Sequence, residues 1–292
     1  MLRIDIPRRN YLLYLVLPHP VKIALLTPAS RTMLDRVNRE ANEQSFSGEA
    51  ATQYDARHRY DEAEQHDYPA RHLIERWGQT PFGRALDVGA GSGYFTTIIA
   101  RRAESVVAVE PVKDLQEVLR RRCATERIDN IDVVGESAAD ALAGMPISSF
   151  DSAFVIQSLH HFHRRPEVLA ALGRVVRPGG RLFLVEPHHN LRRAVRLFRA
   201  YMRTYRSPSF WTNALNWSTH DFLTRREIGN LCRHGGFADI RLSTYWVPFA
   251  RRMVPDSRRR FLVERSIGHV PGVRHFAAIL AAEARRTDRA IS

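Results

Sequence analysis

The chain is predicted to fold as a doubly wound α/β protein built on a mostly parallel sheet of seven strands. Short β-branched runs alternate with segments of helical length from residue 84 onward, which is typical of successive β-α units. A glycine-rich turn at 89–93 joins the first strand to its helix, and Pro178-Gly179-Gly180 separates a later helix from its strand. These observations indicate one parallel sheet covered by helices.

The predicted elements follow one another in regular order. The first five strands are expected at 84–88, 105–109, 131–134, 150–156 and 181–185. Helices are expected between them at 93–103, about 112–127 and about 166–176. Thr224 and Glu227 form a capping box for a late helix that ends at Gly235-Gly236. A sixth strand is expected at 240–247, and 275–282 is a seventh strand or an alanine-rich helix, of which we favour the strand.

Two segments lie outside this alternation. Residues 1–69 are predicted to form an N-terminal helical extension, and residues 70–292 one main domain with a lid inserted at about 187–223. Apolar residues recur in the insertion at helical spacing, at Leu191, Val195, Phe198, Tyr201 and Tyr205. Arginines fill the other face at Arg192, Arg193, Arg196, Arg199 and Arg203, and Phe210, Trp211, Trp217 and Phe222 follow. We favour a lid whose apolar face packs on the sheet, with an aromatic wall over a ligand pocket as the alternative.

The chain is strongly basic, with a formal net charge of +13 from 44 basic and 31 acidic residues. Such a charge would suit nucleic acid, because contacts to phosphate release counterions. However, only Lys22 and Lys113 are lysines, and the arginines are scattered and often lie beside acids. We therefore do not expect a nucleic-acid partner, and an unspecific basic surface or an anionic membrane or substrate explains the charge instead.

The cysteines and the amino terminus bear on localisation. Cys123 and Cys232 are far apart and neither belongs to a Cys-x-x-Cys pair, so a reducing cytoplasm fits and no disulfide framework is expected. The apolar run at 11–17 is too short to cross a bilayer, which needs about 20 residues. It is either an arm packed on the protein or an anchor that makes peripheral contact with an anionic membrane.

The most informative motif is Leu-Asp-Val-Gly-Ala-Gly-Ser-Gly at 86–93, where a strand passes into a helix. Its glycines let the backbone turn tightly and approach a ligand closely. The third glycine comes one place too early for a dinucleotide fingerprint, which would have it at Tyr94. Asp87 suits a cationic amino group, and Glu110 at the end of the second strand suits two ribose hydroxyls. Together they indicate a nucleoside ligand that carries an ammonium group.

These motifs resemble the class I S-adenosylmethionine-dependent methyltransferases, in the small-molecule branch that includes quinone-biosynthesis enzymes. Further motifs of the family are matched at 132–138, 150–154, 157–162, 174–180 and 231–237, so that the resemblance covers about residues 70–285. It implies the Rossmann-like methyltransferase fold, with S-adenosylmethionine as cofactor. In this family, residues before the core often cover the cofactor. In this chain Tyr54, Tyr60 and Tyr68 lie in that part of the sequence, although structural packing explains them equally well.

The resemblance also assigns residues to the cofactor. They are Asp87, Gly89, Ala90, Gly91, Gly93, Glu110, Pro111, Glu136, Ser137, Ala138 and Gln157. Glu136 stands where the family usually has aspartate, so the adenine contact falls to Glu136 or to Ser137.

His160 and His161 lie just past the fourth strand, on the edge where open α/β sheets bind ligands. Either could be a general base for an acceptor hydroxyl, or both could only shape the loop, and these interpretations stay open. His163, His188 and His189 add to the histidines, but no adjacent cysteine or carboxylate cluster completes a site, so no metal is expected.

The implied activity is methyl transfer to a small acceptor, hydrophobic or aromatic, at oxygen or carbon. The loop at 157–160 lacks the Asn/Asp-Pro-Pro-Tyr tetrad that is typical of enzymes methylating nucleobase amino groups. The alternatives are a methyltransferase that modifies RNA or another nucleic acid, and a protein that binds the cofactor without turnover.

Overall fold

A computed structural model describes residues 17–24, 27–29, 32, 46–58, 68–162, 164–204, 222–247 and 249–287. The strands are β1 (Arg84–Val88), β2 (Ser105–Val109), β3 (Ile131–Val134), β4 (Phe150–Ile156), β5 (Val176–Pro187), β6 (Phe237–Tyr245) and β7 (Ile279–Arg286). They form one seven-stranded sheet in the order β3-β2-β1-β4-β5-β7-β6. Only β7 runs antiparallel to its neighbours, β5 and β6. The predicted doubly wound, mostly parallel fold is confirmed.

Helices connect the strands and cover both faces of the sheet. Those before β3 are α1 (His19–Ala24), α2 (Glu49–Thr52), α3 (Tyr54–His58), α4 (Tyr68–Trp77), α5 (Tyr94–Ala100) and α6 (Lys113–Glu126). Those after β3 are α7 (Ala138–Gly144), α8 (Arg165–Val175), α9 (Leu191–Thr204), α10 (Arg225–His234), α11 (Ala250–Met253), α12 (Ser257–Ile267) and α13 (Pro271–Arg274). A 3-10 turn, Leu159–His161, follows β4.

Alternate residues of each strand face opposite sides of the sheet and build two apolar layers. On one side Leu86 of β1 belongs to the same core cluster as Leu142 of α7. On the other side its neighbour in sequence, Ala85, belongs to a cluster with Ile74 of α4. The central strands are thus buried on both faces, which explains why they read as continuous apolar runs.

The first four strands have the predicted bounds. β5 begins at Val176 rather than at 181 and so includes the predicted Pro-Gly-Gly turn, and β6 occupies 237–245 rather than 240–247. The seventh element is a strand as favoured, but it occupies 279–286 rather than 275–282. The alanine run could not mark its limits, since the limits are set by pairing with β5 and β6. The short alanine-rich α7 and the helices at 250–274 were not predicted.

The inserted segment differs from the favoured prediction. Helix α9 confirms the helical spacing, but Leu191 is 58% exposed and Phe198 is 46% exposed. The prediction that the apolar face of this segment packs on the sheet is therefore wrong for α9. Tyr205, Phe210, Trp211 and Trp217 lie outside the described residues, as does the side chain of Tyr201.

The described part of the N-terminal extension contains the short helices α1, α2 and α3. The apolar run from residue 11 to 16 lies outside the described residues, as do Tyr60 and His163. The predicted boundary between 69 and 70 falls inside α4. Among the described helices, none combines the length and the hydropathy needed to cross a membrane.

Candidate functional site

A cavity of about 590 Å³ opens at the carboxyl ends of β1 to β4. Open parallel sheets bind ligands at this edge, because their β-α turns and helix N-termini converge there. The described residues that line it are Phe46, Tyr54, Gly89, Gly91, Val109, Glu110, Pro111, Val112, Leu115, Ser137, Ala138, Ala139, Asp140, Gln157, Ser158, His161, Phe162, Arg164 and Val168.

The turn after β1 forms one side of the cavity and requires glycine. Gly89 has a φ of 78°, and a Cβ at this position would lie 2.4 Å from the Cβ of Ser158. A Cβ at Gly91 would have no neighbouring atom nearer than 3.9 Å, at the hydroxyl of Tyr54, so this part of the turn is open to a ligand. Gly93 serves packing instead, because a Cβ there would lie 2.7 Å from Leu119 of α6.

Glu110 is the carboxylate that lies in the cavity wall. It is 5% exposed, and its two oxygens accept hydrogen bonds from the amides of Gly91, at 2.8 Å, and Val112, at 2.9 Å. Burial raises the pKa of Glu110 above its usual range, while the two amide hydrogen bonds act against the rise. Each carboxylate oxygen keeps a second lone pair, so the group can still accept hydrogen bonds from two hydroxyls of a ligand.

Asp87 lies behind the glycine turn rather than in the wall of the cavity. It is 2% exposed and accepts a hydrogen bond of 2.7 Å from the hydroxyl of Thr96 in α5. Burial raises the pKa of Asp87 to about 7; the Thr96 hydrogen bond lowers the pKa, and the charge of Glu110 adds to the rise. A cation beside this carboxyl group would favour its ionised form.

The carboxyl end of β3 contributes Ser137 and Ala138 to the wall, together with Asp140. Ser137 is the N-cap of α7, and its hydroxyl oxygen accepts from the amide of Asp140 at 3.3 Å. Glu136 is exposed and lies outside the wall, so of the two predicted adenine contacts the structure brings Ser137 to the cavity.

Helices α2 and α3 cover the cavity from outside the sheet. Phe46, just before α2, and Tyr54 of α3 line it, with their rings 5.8 Å apart. Asp55 holds α3 in place through an ion pair with Arg122 of α6. Tyr54 therefore lies where a cofactor-covering residue was predicted.

Tyr68, by contrast, takes no part in the cavity wall. Its hydroxyl donates to Glu264 of α12, which also accepts from the amides of Trp246 and Val247 at 2.9 Å each. Tyr68 therefore has a packing role, which was the alternative to covering the cofactor.

The loop after β4 is held by a buried carboxylate, Glu186, at the end of β5. Glu186 is 0% exposed and accepts hydrogen bonds from the amides of Ser158, at 3.0 Å, and Leu159, at 2.8 Å. Burial raises the pKa of Glu186 to about 8, although the hydrogen bonds from the loop amides lower it. The same loop contains Gln157 at a φ of 54°, a conformation that is uncommon for residues other than glycine.

Arg165 fixes the other end of this loop. Its side chain is 1% exposed and donates to the carbonyls of Leu159, His160 and Phe162. It also donates to Glu227 at 2.6 Å, across to the N-terminus of α10. Because α10 follows the inserted segment, this buried ion pair joins the cavity loop to the end of the insertion.

The two candidate histidines occupy different places. His161 lies in the cavity wall, where its ring is 5.4 Å from that of Phe46. His160 is 7% exposed and lies behind His161, with ring centroids 4.0 Å apart. The Nδ1 atom of His160 is 2.8 Å from Oε2 of Glu186. A carboxylate, an inner histidine and an outer histidine thus lead from the core to the cavity.

Several predicted residues meet at the cavity and others support it from behind. Those in the wall are Gly89, Gly91, Glu110, Pro111, Ser137, Ala138, Gln157 and His161. Those outside the wall are Asp87, Ala90, Gly93, Glu136 and His160. Sequence reasoning missed Glu186, although a carboxylate that ends the apolar run 182–185 at the same sheet edge was a usable signal.

Among the described residues no group of histidines, cysteines and carboxylates has the arrangement of a metal site. His188 is buried, with its Nδ1 3.1 Å from the carbonyl oxygen of Ala277, and burial lowers its pKa to about 4. Its position beside this backbone indicates a structural role.

Comparison with known proteins finds similarity to a protein family, to curated relatives and to solved structures. Residues 86–184 match the Methyltransferase domain family. The chain is 28% identical over 156 residues to the ubiquinone biosynthesis O-methyltransferase of Xylella fastidiosa (strain M23), across 52% of the chain and 60% of the relative. It is 33% identical over 112 residues to the S-adenosyl-L-methionine-dependent Diels-Alderase iccD of Talaromyces variabilis, across 38% of each protein. The chain therefore spans less than two thirds of these relatives.

The fold is also similar to that of a solved structure, the phosphoethanolamine N-methyltransferase 2 of Haemonchus contortus in complex with S-adenosyl-L-methionine. The TM-score is 0.60 at 16% identity, over 86% of this chain and 60% of that one. The comparisons confirm the predicted fold and the family resemblance.

Proposed function

We propose that the chain transfers a methyl group from S-adenosylmethionine to a small-molecule acceptor. Residues 86–184, which match the Methyltransferase domain family, and the seven-stranded, mostly parallel sheet support this proposal. The observation that best supports the proposal is Glu110, a buried carboxylate in the cavity wall beside the open face of Gly91. A buried carboxylate with lone pairs directed at a cavity is a good acceptor for the two hydroxyls of a ribose.

The residues around Glu110 fit the rest of the cofactor. Val112 and Leu115 offer apolar surface to an adenine ring, and Ser137 offers a hydroxyl at its edge. On the other side of Gly91, the ionised form of Asp87 would stabilise the ammonium of the methionyl portion. The glycine turn lets the backbone lie against the ligand between these two groups.

When bound, S-adenosylmethionine supplies an electrophilic methyl group on a sulfonium. The chain must then orient the acceptor and keep water away, effects that can lower the barrier by several kcal/mol. For a hydroxyl acceptor, we assign His161 as the general base, because it faces the cavity. His160 then acts behind it as a positioning residue, held by Glu186 at 2.8 Å.

The cavity wall indicates the acceptor class. Phe46, Tyr54 and Phe162 bring aromatic surface to the cavity, close to His161. Apolar walls with few polar groups bind flat or hydrophobic molecules. We therefore propose a hydrophobic or aromatic acceptor, methylated at oxygen or carbon.

We further propose that the protein works in a reducing cytoplasm. Cys123 and Cys232 both carry free thiols. Burial raises the pKa of both, most strongly for Cys232, to about 12, so neither is an activated thiolate.

Two measurements test the proposed activity. Calorimetry should detect S-adenosylmethionine and its demethylated product binding to the purified chain, and a labelled methyl group should pass to members of a panel of phenols and quinone precursors. Absence of binding heat with both ligands would contradict the assignment. Binding without transfer to any acceptor would favour the alternative of a protein that binds the cofactor without turnover. Methyl transfer to RNA, with steeply salt-dependent binding, would favour the nucleic-acid alternative.

We expect affinity for S-adenosylmethionine to increase as the pH rises through about 7, the pKa of Asp87 in the free protein. Below this pKa the carboxyl group is protonated, and binding of the cofactor must displace the proton. The affinity therefore falls by at most about tenfold for each pH unit below the pKa. The raised pKa of Glu110 acts in the same direction. Calorimetry at a series of pH values, in buffers of different ionisation enthalpy, measures the proton release. In Asp87→Asn the increase through pH 7 should be smaller than in the parent; an unchanged pH profile would mean that Asp87 does not meet the ammonium.

A further inference from the structure

Helix α9 presents an exposed apolar stripe to solvent. Leu191, Val195, Phe198 and Met202 are 58%, 42%, 46% and 51% exposed. Their spacing places all of them within one narrow sector of the helix surface. Isolated exposed apolar residues are ordinary, but a continuous row of large ones indicates a contact with an apolar phase or partner.

A row of exposed arginines runs beside this stripe. Arg192, Arg196, Arg199 and Arg203 are exposed, and α9 contains no acidic residue. Arg193 is directed elsewhere, with its guanidinium 4.0 Å from the centroid of the Phe222 ring. The exposed side of α9 thus carries an apolar stripe with a row of cationic side chains next to it.

More exposed apolar side chains are found in the connection between β6 and β7. Phe249, Met253 and Phe276 are 55%, 74% and 44% exposed. This connection is joined to the start of α9, because Asn190 donates to the carbonyl of Ala277 at 2.6 Å. Ala277 in turn packs with Val247 and Ala250.

We call α9 together with Phe249, Met253 and Phe276 the outer surface. Both of its parts extend from the carboxyl edge of the sheet, the edge at which the cavity opens.

The chemistry of the outer surface selects among possible occupants. A second copy of the chain could cover the apolar stripe with its own, but its α9 contains no acidic residue to pair with the arginines. A nucleic acid would neutralise the arginines but would leave the apolar stripe in water. An anionic bilayer satisfies both rows, with phosphate for the arginines and acyl chains for the stripe.

We propose that the outer surface docks on an anionic lipid bilayer, with α9 lying in the plane of the membrane. The apolar stripe enters the boundary between headgroups and acyl chains, and the arginines contact lipid phosphates. This inference rests on exposure and charge and does not depend on the proposed methyl transfer. It also differs from the predicted N-terminal anchor, because it uses other residues.

Co-sedimentation with vesicles tests the proposal. The full chain should bind vesicles that contain phosphatidylglycerol and bind poorly to vesicles of phosphatidylcholine alone. The double variant Val195→Glu/Phe198→Glu should lose most of this binding. The matched control is Ile147→Glu, the same change at a residue that is 70% exposed and precedes β4 at the opposite edge of the sheet; it should bind like the parent.

The arginines are tested separately. In Arg196→Gln/Arg199→Gln the affinity for anionic vesicles should fall about fivefold for each arginine removed, and this loss should shrink at high salt. Arg121→Gln/Arg127→Gln, at exposed positions at the end of α6, should have little effect.

Three results would overturn the proposal. The parent chain could fail to bind anionic vesicles, or the α9 variants could bind as well as Ile147→Glu. Alternatively, Val195→Glu/Phe198→Glu could dissociate a dimer in sedimentation velocity, which would identify a second copy as the occupant. Calorimetry with S-adenosylmethionine on the same variants separates this proposal from the proposed activity, since cofactor affinity should be unchanged in all of them.

Discussion

Replacing Arg165 with methionine is expected to lower the free energy of unfolding by about 3–5 kcal/mol. Arg165 and Glu227 are 1% and 4% exposed at their side chains, so the substitution removes the guanidinium of Arg165 from a buried carboxylate. It also removes the donor for three loop carbonyls, and an unsatisfied buried acceptor adds about 1–3 kcal/mol. Chemical denaturation followed by circular dichroism measures this change.

The exposed pair of Arg101 and Glu126 provides the control. Arg101 is 59% exposed at its side chain and lies 2.8 Å from Glu126. Because water screens such a pair, Arg101→Met should cost no more than about 1 kcal/mol. The double variant Arg165→Met/Glu227→Met should recover part of the loss, because no unpaired charge stays buried. Equal effects of Arg165→Met and Arg101→Met would show that the buried pair contributes no special stability.

Replacing Glu110 with alanine is expected to weaken binding of S-adenosylmethionine by at least about a hundredfold. Hydrogen bonds to a charged group contribute about 1.5–3 kcal/mol each, and the proposal gives Glu110 two such bonds to the ribose. The substitution also frees the amides of Gly91 and Val112, which Glu110 now holds. Isothermal titration calorimetry measures the affinity, and thermal unfolding without ligand verifies that the variant is folded.

The comparison for Glu110→Ala is Asp129→Asn, which removes an exposed carboxylate near the amino end of β3. It lies at the opposite edge of the sheet and should leave cofactor affinity unchanged. Glu110→Gln should fall between the parent and Glu110→Ala, because the amide keeps one acceptor oxygen but places a donor near the backbone amides. Parent-like affinity in Glu110→Ala would mean that the ribose lies elsewhere.

The strands and the glycine turn could be predicted because their signals are local. An apolar run such as Val106 to Val109 needs only its own residues to indicate a buried strand. The turn at 89–93 likewise needs backbone freedom that glycine alone provides at a φ of 78°. The cavity residues that lie within these motifs, such as Glu110, could therefore be predicted from the sequence as well.

The polar support of the cavity could not be predicted, because it joins residues that are distant in sequence. Glu186 meets His160 and Arg165 meets Glu227 only after the sheet has formed. Nothing near Glu227 in the sequence distinguishes a side chain that serves only the helix cap from one that also pairs with a distant arginine. For α9, the periodicity indicated an amphipathic helix but could not say whether its apolar face meets the sheet or the solvent.

The position of β7 has a consequence for synthesis on the ribosome. β6 emerges first, yet its partner in the sheet is β7, which lies between β5 and β6. Until residues 279–286 have left the ribosome, the edge of β5 is unpaired and β6 has no neighbour in the sheet. In this interval both edges offer unpaired backbone groups to other polypeptides, so we expect the incomplete chain to aggregate more readily than the finished sheet.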